Sequence, residues 1–171
     1  MKDKLIQWAQ AGDGDCAYKL ATIYREEGNL PEHARWLERA SDMKNFDAMK
    51  DFAALLRDDE TIRDYGRAFE LYKELAETFR DEEAMEYAVD MIERGQGVAK
   101  NDKDALNFIL GLIGEMYNEI YQIDRGNIWI RIWTFGTRRH NECTWEYLQA
   151  VERRRIAARI RKILSEEESQ S

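Results

Sequence analysis

Residues 94–108 have the sequence Arg-Gly-Gln-Gly-Val-Ala-Lys-Asn-Asp-Lys-Asp-Ala-Leu-Asn-Phe. Gly95 and Gly97 supply a turn, because glycine adopts the backbone conformations that tight turns require. After the turn, Phe108 and Leu112 are four residues apart and therefore share one face of a second helix. The turn lacks the third glycine and the preceding strand of a dinucleotide-binding loop. The stretch predicts a helical hairpin.

The helix before this turn shares its apolar pattern with two earlier segments. Counted from Arg80 as position 0, small or apolar residues occupy positions 4, 8, 9 and 12, and the same holds when counting starts at Gly12 or Lys44. These spacings place each set on one helical face, where small residues let two helices approach closely. The three sets are Cys16, Leu20, Ala21 and Tyr24; Ala48, Phe52, Ala53 and Leu56; and Ala84, Ala88, Val89 and Ile92.

A second helix follows each of these segments, and the pairs recur with a regular period. Cys16 and Ala48 are 32 residues apart, and Ala48 and Ala84 are 36 apart. The second helices are marked by Trp36 with Ala40, Leu71 with Leu75, and Phe108 with Leu112, at separations of 35 and 37. Helix-start signals agree at Pro31, Asp64 and Asp81. The chain is therefore predicted to repeat a helical hairpin about every 35 residues.

These segments resemble the Sel1-like repeats, which are helical hairpins related to tetratricopeptide repeats. Residues 94–108 resemble the turn and second helix of the family, residues 64–72 resemble the same second-helix opening, and Gly12 to Tyr24 resembles a first helix. His33 departs from the usual Ala, and Lys44 and Arg80 replace the usual Gly. The resemblance covers residues 5 to about 120. It implies an all-α, right-handed α–α superhelix that binds another protein on its concave surface and catalyses no reaction.

The expected organisation is a repeat array followed by a cap. The array spans residues 1–124, with repeats at about 9–40, 41–76 and 77–118, and a capping segment spans residues 125–171. Ile128 to Trp133 fits either a strand or a helix, and an all-helical array favours a helix or an irregular cap. A helix is predicted from Thr144, with an apolar stripe and many cations. The stripe comprises Trp145, Leu148, Val151, Ile156, Ile160 and Ile163 or Leu164, and the cations are Arg153, Arg154, Arg155, Arg159, Arg161 and Lys162.

Composition and charge bound the function. The net charge of −8 divides unevenly, because residues 1–124 hold 16 basic and 28 acidic side chains (−12) whereas residues 125–171 hold 10 and 6 (+4). The longest apolar run is far below the roughly 20 residues of a membrane span, and no apolar signal segment follows Met1, so a cytoplasmic protein without membrane contact is expected. Cys16 and Cys143 lie far apart and are expected to be reduced and buried. No cofactor or metal is predicted.

Two other functional classes fit parts of the sequence less well. The arginines of the C-terminal helix are typical of nucleic-acid binding, but the acidic repeats would repel phosphate. Cys143 lies three residues from His140, and such pairs serve as nucleophile and base, but the sequence has no nucleophile turn or oxyanion hole. Large aromatic residues are expected to pack between helices; these are Tyr24, Trp36, Phe52, Tyr72 and Phe108.

The remaining positions of the first helices are candidates for partner binding. Positions 6, 7, 10 and 11 should line the concave surface, where they mix apolar and charged side chains as interfaces do. The predicted binding residues are Tyr18, Lys19, Thr22, Ile23, Lys50, Asp51, Leu55, Glu86, Tyr87, Asp90 and Met91, together with the small Ala54. Small Sel1-like proteins resemble some immunity proteins against interbacterial toxins, and an acidic surface would attract a basic toxin domain. A bacterial immunity protein is therefore one specific expectation.

Overall fold

The computed structural model describes residues 2–114 and 140–168, and for residues 140–151, 167 and 168 it describes the backbone alone. The segment Ile128 to Trp133 lies outside the described residues, as do the side chains of Trp145, Leu148 and Val151. Helices account for the regular structure of the described ranges. They are α1 (Lys2–Gln10), α2 (Gly14–Glu26), α3 (Leu30–Asp42), α4 (Phe46–Asp58), α5 (Tyr65–Phe79), α6 (Glu82–Arg94), α7 (residues 103–114) and α8 (His140–Glu168).

The helices form the three hairpins that the repeats predict. The first helices are α2, α4 and α6, and the second helices are α3, α5 and α7. Each helix from α2 to α5 packs on the next one, so one hairpin buries its apolar face against its neighbour. The helix α1, which precedes the first predicted repeat, packs on α2, and α8 packs on α6. The prediction of an all-α superhelix is confirmed.

Asp and Asn residues begin the helices of the array. The side chains of Asp13, Asn45 and Asp81 accept hydrogen bonds from the backbone N–H three residues later at the starts of α2, α4 and α6. Asn29 and Asp64 do the same for α3 and α5. A helix leaves its first N–H groups without partners, and these oxygens satisfy them. Each hairpin therefore begins at a defined residue.

Lys44 and Arg80 mark the junctions between hairpins. Their φ angles are 60° and 55°, in the left-handed region that glycine favours, and Gly12 occupies the corresponding place with a φ of 101°. The two residues that depart from the family's glycine therefore keep its backbone conformation. Lys44 also forms an ion pair with Glu74 on α5.

The core consists of the small and apolar residues that the repeat pattern identified. Ala48, Ala53, Ala84 and Ala88 have no exposed surface, and Val89 is equally buried. Among the predicted packing aromatics, three are buried and two are partly buried against the core: Trp36, Phe52 and Tyr72, and Tyr24 and Phe108. The prediction that these rings serve packing is consistent with their burial.

His33, which replaces a small residue of the family, links the two helices of the first hairpin. Its side chain is buried, and Nδ1 lies 2.9 Å from the carbonyl oxygen of Ala21 on α2. A buried polar group needs such a partner, because an unsatisfied one costs free energy. His33 is therefore a structural residue of this hairpin.

Candidate partner-binding surface

The exposed sides of α2 and α4 are joined by a hydrogen bond between two predicted binding residues. The hydroxyl of Tyr18 donates to a carboxylate oxygen of Asp51 at 3.0 Å. Partial burial and this bond to a carboxylate raise the pKa of Tyr18, so the phenol stays protonated. The bond holds a half-buried aromatic ring and a charge in fixed positions on adjacent first helices.

A second link joins α4 to α6. The ammonium group of Lys50 donates to Glu83 at 2.7 Å and to Asp81 at 3.2 Å. Partial burial opposes the charged form of Lys50, but the two hydrogen bonds outweigh it and raise its pKa. The bond from Lys50 lowers the pKa of Glu83. Lys50 is thus held by the next repeat.

Arg57 also links α4 to α6, although the predicted positions did not include it. Its guanidinium lies 4.2 Å from the centre of the Tyr87 ring and donates two hydrogen bonds of 2.8 Å to Asp58. The bonds to Asp58 raise the pKa of Arg57. A cation over an aromatic face is a stabilising contact that also fixes the ring. A basic residue at position 13 in both α2 (Arg25) and α4 is the sequence signal that could have identified it.

The other predicted residues of α2 and α4 are exposed or half-buried. Lys19 is exposed, and Thr22 is half-buried with its hydroxyl donating to the carbonyl of Tyr18. Ile23 and Leu55 are partly exposed apolar side chains. The predicted residues of α2 and α4 are thus accessible at least in part, and the hydrogen bond from Tyr18 to Asp51 joins the two helices.

The predicted residues of α6 face a different environment, because α8 lies against this helix. Glu86 pairs with Arg155 at 3.5 Å, and Asp90 pairs with Arg159. Met91 is 1% exposed. Met91 therefore cannot contact a partner in this arrangement, and Glu86 and Asp90 are already paired within the chain. Tyr87 is half-buried and, unlike the other three residues of this set, contacts α4, through Arg57.

The arginines of α8 divide into two groups. Arg153 is 8% exposed and its Nε donates to Glu82 at 2.7 Å, and Arg159 pairs with Glu93 as well as with Asp90. Arg154, Arg161 and Lys162 are exposed. Part of the predicted basic surface is thus engaged with α6.

Comparison with known proteins identifies the fold. The chain is similar to a Sel1 repeat protein from Oxalobacter formigenes, whose crystal structure is known. The match covers 63% of this chain and 86% of that chain, with 24% sequence identity and a TM-score of 0.51. The chain has a Sel1-like repeat fold. No family model and no curated protein matches the sequence.

The thiol of Cys16 lies inside the Sel1-like array rather than on its surface. Cys16 is buried, and its Sγ donates to Asp13 at 3.2 Å. Burial and this bond raise the pKa of the thiol, which keeps it protonated and weakly nucleophilic. The side chains of His140 and Cys143, the predicted alternative for an enzyme, lie outside the described residues.

Among the side chains that the structure describes, those of residues 2–114 and 152–166, no cluster of His, Cys, Asp and Glu converges as a metal site would. In the same ranges, no helix combines the length and hydropathy that crossing a bilayer requires.

Proposed function

We propose that this chain is a non-enzymatic protein-binding module that holds its partner on the exposed sides of α2 and α4. The observation that carries the proposal is the pair of links, Tyr18 to Asp51 and Lys50 to Glu83, which order a surface of mixed character before any partner binds. An ordered surface loses less conformational entropy on binding. The surface comprises Tyr18, Lys19, Thr22, Ile23, Lys50, Asp51, Leu55 and Tyr87.

The apolar and the charged side chains of this surface would contribute to binding in different ways. Tyr18, Ile23, Leu55 and Tyr87 offer partly exposed apolar area, and aromatic side chains of this kind dominate affinity in protein interfaces. Lys19 and Asp51 carry charge, which mainly affects the rate of association and its dependence on salt. Glu86, Asp90 and Met91 are left out of the proposed surface, because Glu86 and Asp90 pair with arginines of α8 and Met91 is buried.

The more specific form of the proposal is that the partner is a basic toxin domain and that this chain is its bacterial immunity protein. The net charge of −12 in residues 1–124, from 16 basic and 28 acidic side chains, supports a basic partner. Opposite net charges accelerate association, and fast capture is what neutralising a toxin demands.

The test begins with affinity purification of the partner on the tagged full-length chain, followed by measurement of its binding kinetics. Tyr87→Ala is expected to weaken binding about tenfold, mainly through faster dissociation, because a truncated aromatic anchor costs roughly 1–2 kcal/mol. Asp51→Lys is expected to slow association with a basic partner and to reduce its salt dependence.

The matched control is Glu70→Lys, which makes the same charge reversal on the second-helix side, where Glu70 is 69% exposed. Circular dichroism verifies that every variant is folded. Unchanged affinity and association rate in both Tyr87→Ala and Asp51→Lys would move the binding site off this surface. A partner with net negative charge would contradict the proposal of a basic toxin domain. The proposed binding surface would then be tested by the affinity of Tyr87→Ala alone.

A further inference from the structure

A groove lies between the second helices α5 and α7. Its volume is about 290 Å³, at the small end of the range for ligand pockets. Most of its lining is apolar and comes from the two helices and from the turn before α7. The apolar lining includes Phe69, Val98, Ala105 and Phe108. Such a lining, interrupted by a few polar groups, is typical of sites for small molecules.

The neighbouring groove, between α3 and α5, is bridged by an ion pair. Arg67 of α5 donates to Glu38 of α3 at 2.6 Å and lies 3.9 Å from Asp42. The separations of 35 and 37 residues between successive second helices make Lys73 the counterpart of Glu38, and Asp104 the counterpart of Arg67. Both counterparts line the groove between α5 and α7. The same two positions thus face each other at both junctions, with the signs of their charges exchanged.

Burial supports this alignment of the second helices. Leu37, Tyr72 and Ile109 correspond to one another in it, and each is 1% exposed. One turn later, Leu75 is fully buried and its counterpart Leu112 is 6% exposed. The comparison therefore concerns equivalent positions of successive repeats.

The second pair of charges is not joined as the first one is. Among the ion pairs of the described residues, none links Lys73 to Asp104, and the side chain of Asp104 is exposed. Lys73 lies 4.0 Å from Glu70 on its own helix, and its ammonium group is 5.2 Å from the centre of the Phe108 ring. The groove therefore presents a cation on α5 and a carboxylate on α7 without a bridge between them.

These charges indicate the class of ligand that fits the groove. The third charged residue of the lining, Asp102, caps α7 by accepting a hydrogen bond from the N–H of Ala105 at 2.9 Å. Lys73 and Asp104 remain to orient a ligand, and only a ligand with both an anionic and a cationic group pairs with both of them. A purely anionic ligand such as a phosphate would instead meet the carboxylates of Asp102 and Asp104 beside a single ammonium group.

We propose that this groove binds a small zwitterion with an apolar body, in the chemical class of an aliphatic amino acid. The carboxylate of the ligand would lie against Lys73, its ammonium group against Asp104, and its hydrocarbon against Val98 and Phe108. The ligand would supply the bridge that Arg67 forms at the previous junction, and it would thereby stabilise the stacking of the third hairpin on the second. The site uses other residues than the surface proposed for α2 and α4 and does not depend on it.

The test titrates the full-length chain with L-norleucine and with ε-aminocaproate, two isomers that carry the same charges either close together or at opposite ends. Chemical shifts measured by NMR should reveal saturable binding of one isomer at about millimolar concentrations or below. Hexanoate and pentylamine each keep one of the charges and should bind at least about tenfold more weakly. Lys73→Gln and Asp104→Asn should each weaken binding of the zwitterion by a similar factor. The bound isomer should also raise the melting temperature of the parent.

The matched control proteins are Lys4→Gln and Asp3→Asn, which remove the same charges from exposed residues of α1. Their affinities should stay within about twofold of the parent. The double variant Lys73→Asp/Asp104→Lys keeps one charge of each sign at the groove and should bind more tightly than either single variant. The proposal is overturned if neither isomer binds the parent, or if hexanoate or pentylamine binds as tightly as the zwitterion. It is also overturned if Lys73→Gln and Asp104→Asn bind like the control proteins.

Discussion

Gly97 shows how a single residue connects two repeats. A Cβ atom at this position would lie 2.1 Å from the carbonyl oxygen of Tyr65, the first residue of α5, and the φ angle is +76°. The contact with a backbone atom requires glycine, and the left-handed conformation favours it. The turn of the third repeat is thus seated directly on the second.

We predict that Gly97→Ala destabilises the protein by about 1–3 kcal/mol, because the turn must move away from Tyr65 and adopt a strained φ angle. The matched control is Gly111→Ala in α7, where an added Cβ meets no atom within 4 Å. This control should stabilise the protein by about 0.5–1 kcal/mol, since alanine is the better helix former. Urea unfolding measures both changes, and equal effects in the two variants would refute the role assigned to Gly97.

The sequence predicts the position of this turn but not its contact with the second repeat. Gly95 and Gly97 predict a turn through their residue type, which is local information. The contact between Gly97 and Tyr65 joins residues 32 positions apart, and it depends on how one hairpin is stacked on the next. The same distinction applies to Arg57, whose ring partner Tyr87 lies on another helix.

Helix packing within the array depends on small side chains at defined positions. Ala88 of α6 has no exposed surface and lies at a position where the helices approach closely. We predict that Ala88→Leu overpacks this contact, costs about 1–3 kcal/mol and lowers the melting temperature by several degrees. Ala158→Leu, on the exposed side of α8, should change stability by less than about 0.5 kcal/mol. If Ala88→Leu melted like the parent, the repeat register would be incorrect.

The attachment of α8 to α6 depends on ion pairs of arginines, and the two charges of such a pair can be swapped by mutation. Arg159 pairs with Asp90 and Glu93, and its side chain is 32% exposed. We predict that Arg159→Glu costs about 1–3 kcal/mol, because three carboxylates would then face one another at a half-buried contact. The double variant Arg159→Glu/Glu93→Arg should recover most of this loss. Urea unfolding and hydrogen exchange of α8 measure the effect, and simple addition of the two single changes would exclude a direct pair.

The sequence predicted α8 in part. Ile156, Ile160 and Ile163 are buried, as the apolar stripe of an amphipathic helix predicts. The periodicity of one helix does not specify its neighbour, so the division of the arginines between α6 and solvent could not be foreseen. For the same reason, the binding positions of α6 were assigned to an open surface, whereas Met91 is buried and Glu86 and Asp90 are paired.

Across the molecule, charges of opposite sign meet at two successive helix contacts. Cations of α4 meet carboxylates of α6, and carboxylates of α6 meet arginines of α8. The sequence divides into an acidic array and a basic C-terminal segment, and in the structure the two are in contact through α6 and α8. The arginines of α8 thereby pair with part of the acidic array.

The same distribution of charge predicts how stability depends on pH. The backbone N–H of Cys16 lowers the pKa of Asp13, Arg57 lowers that of Asp58, and Lys50 lowers that of Glu83. With lowered pKa values, the folded protein binds protons at these groups more weakly than the unfolded chain does. The groups therefore contribute their full stability above their unfolded pKa values of about 4. This contribution is lost as the pH falls through the lower pKa values of the folded protein. Between pH 7 and the isoelectric point near 5.0, the loss of net negative charge reduces self-repulsion and acts in the opposite direction.

We therefore predict a maximum of thermal stability at about pH 5–6 and a steep decrease below about pH 4. Glu83→Gln should be less stable than the parent at neutral pH, by less than about 1 kcal/mol because the side chain of Glu83 is 55% exposed and solvent screens the pair. The difference between the two proteins should vanish once the pH falls below the lowered pKa of Glu83, because this side chain of the parent is then protonated as well. Glu60→Gln, which removes the same charge from a side chain that is 86% exposed, serves as the control and should leave the pH profile unchanged. A constant difference between Glu83→Gln and the parent from pH 7 to pH 3 would show that the bond from Lys50 does not stabilise the ionised form.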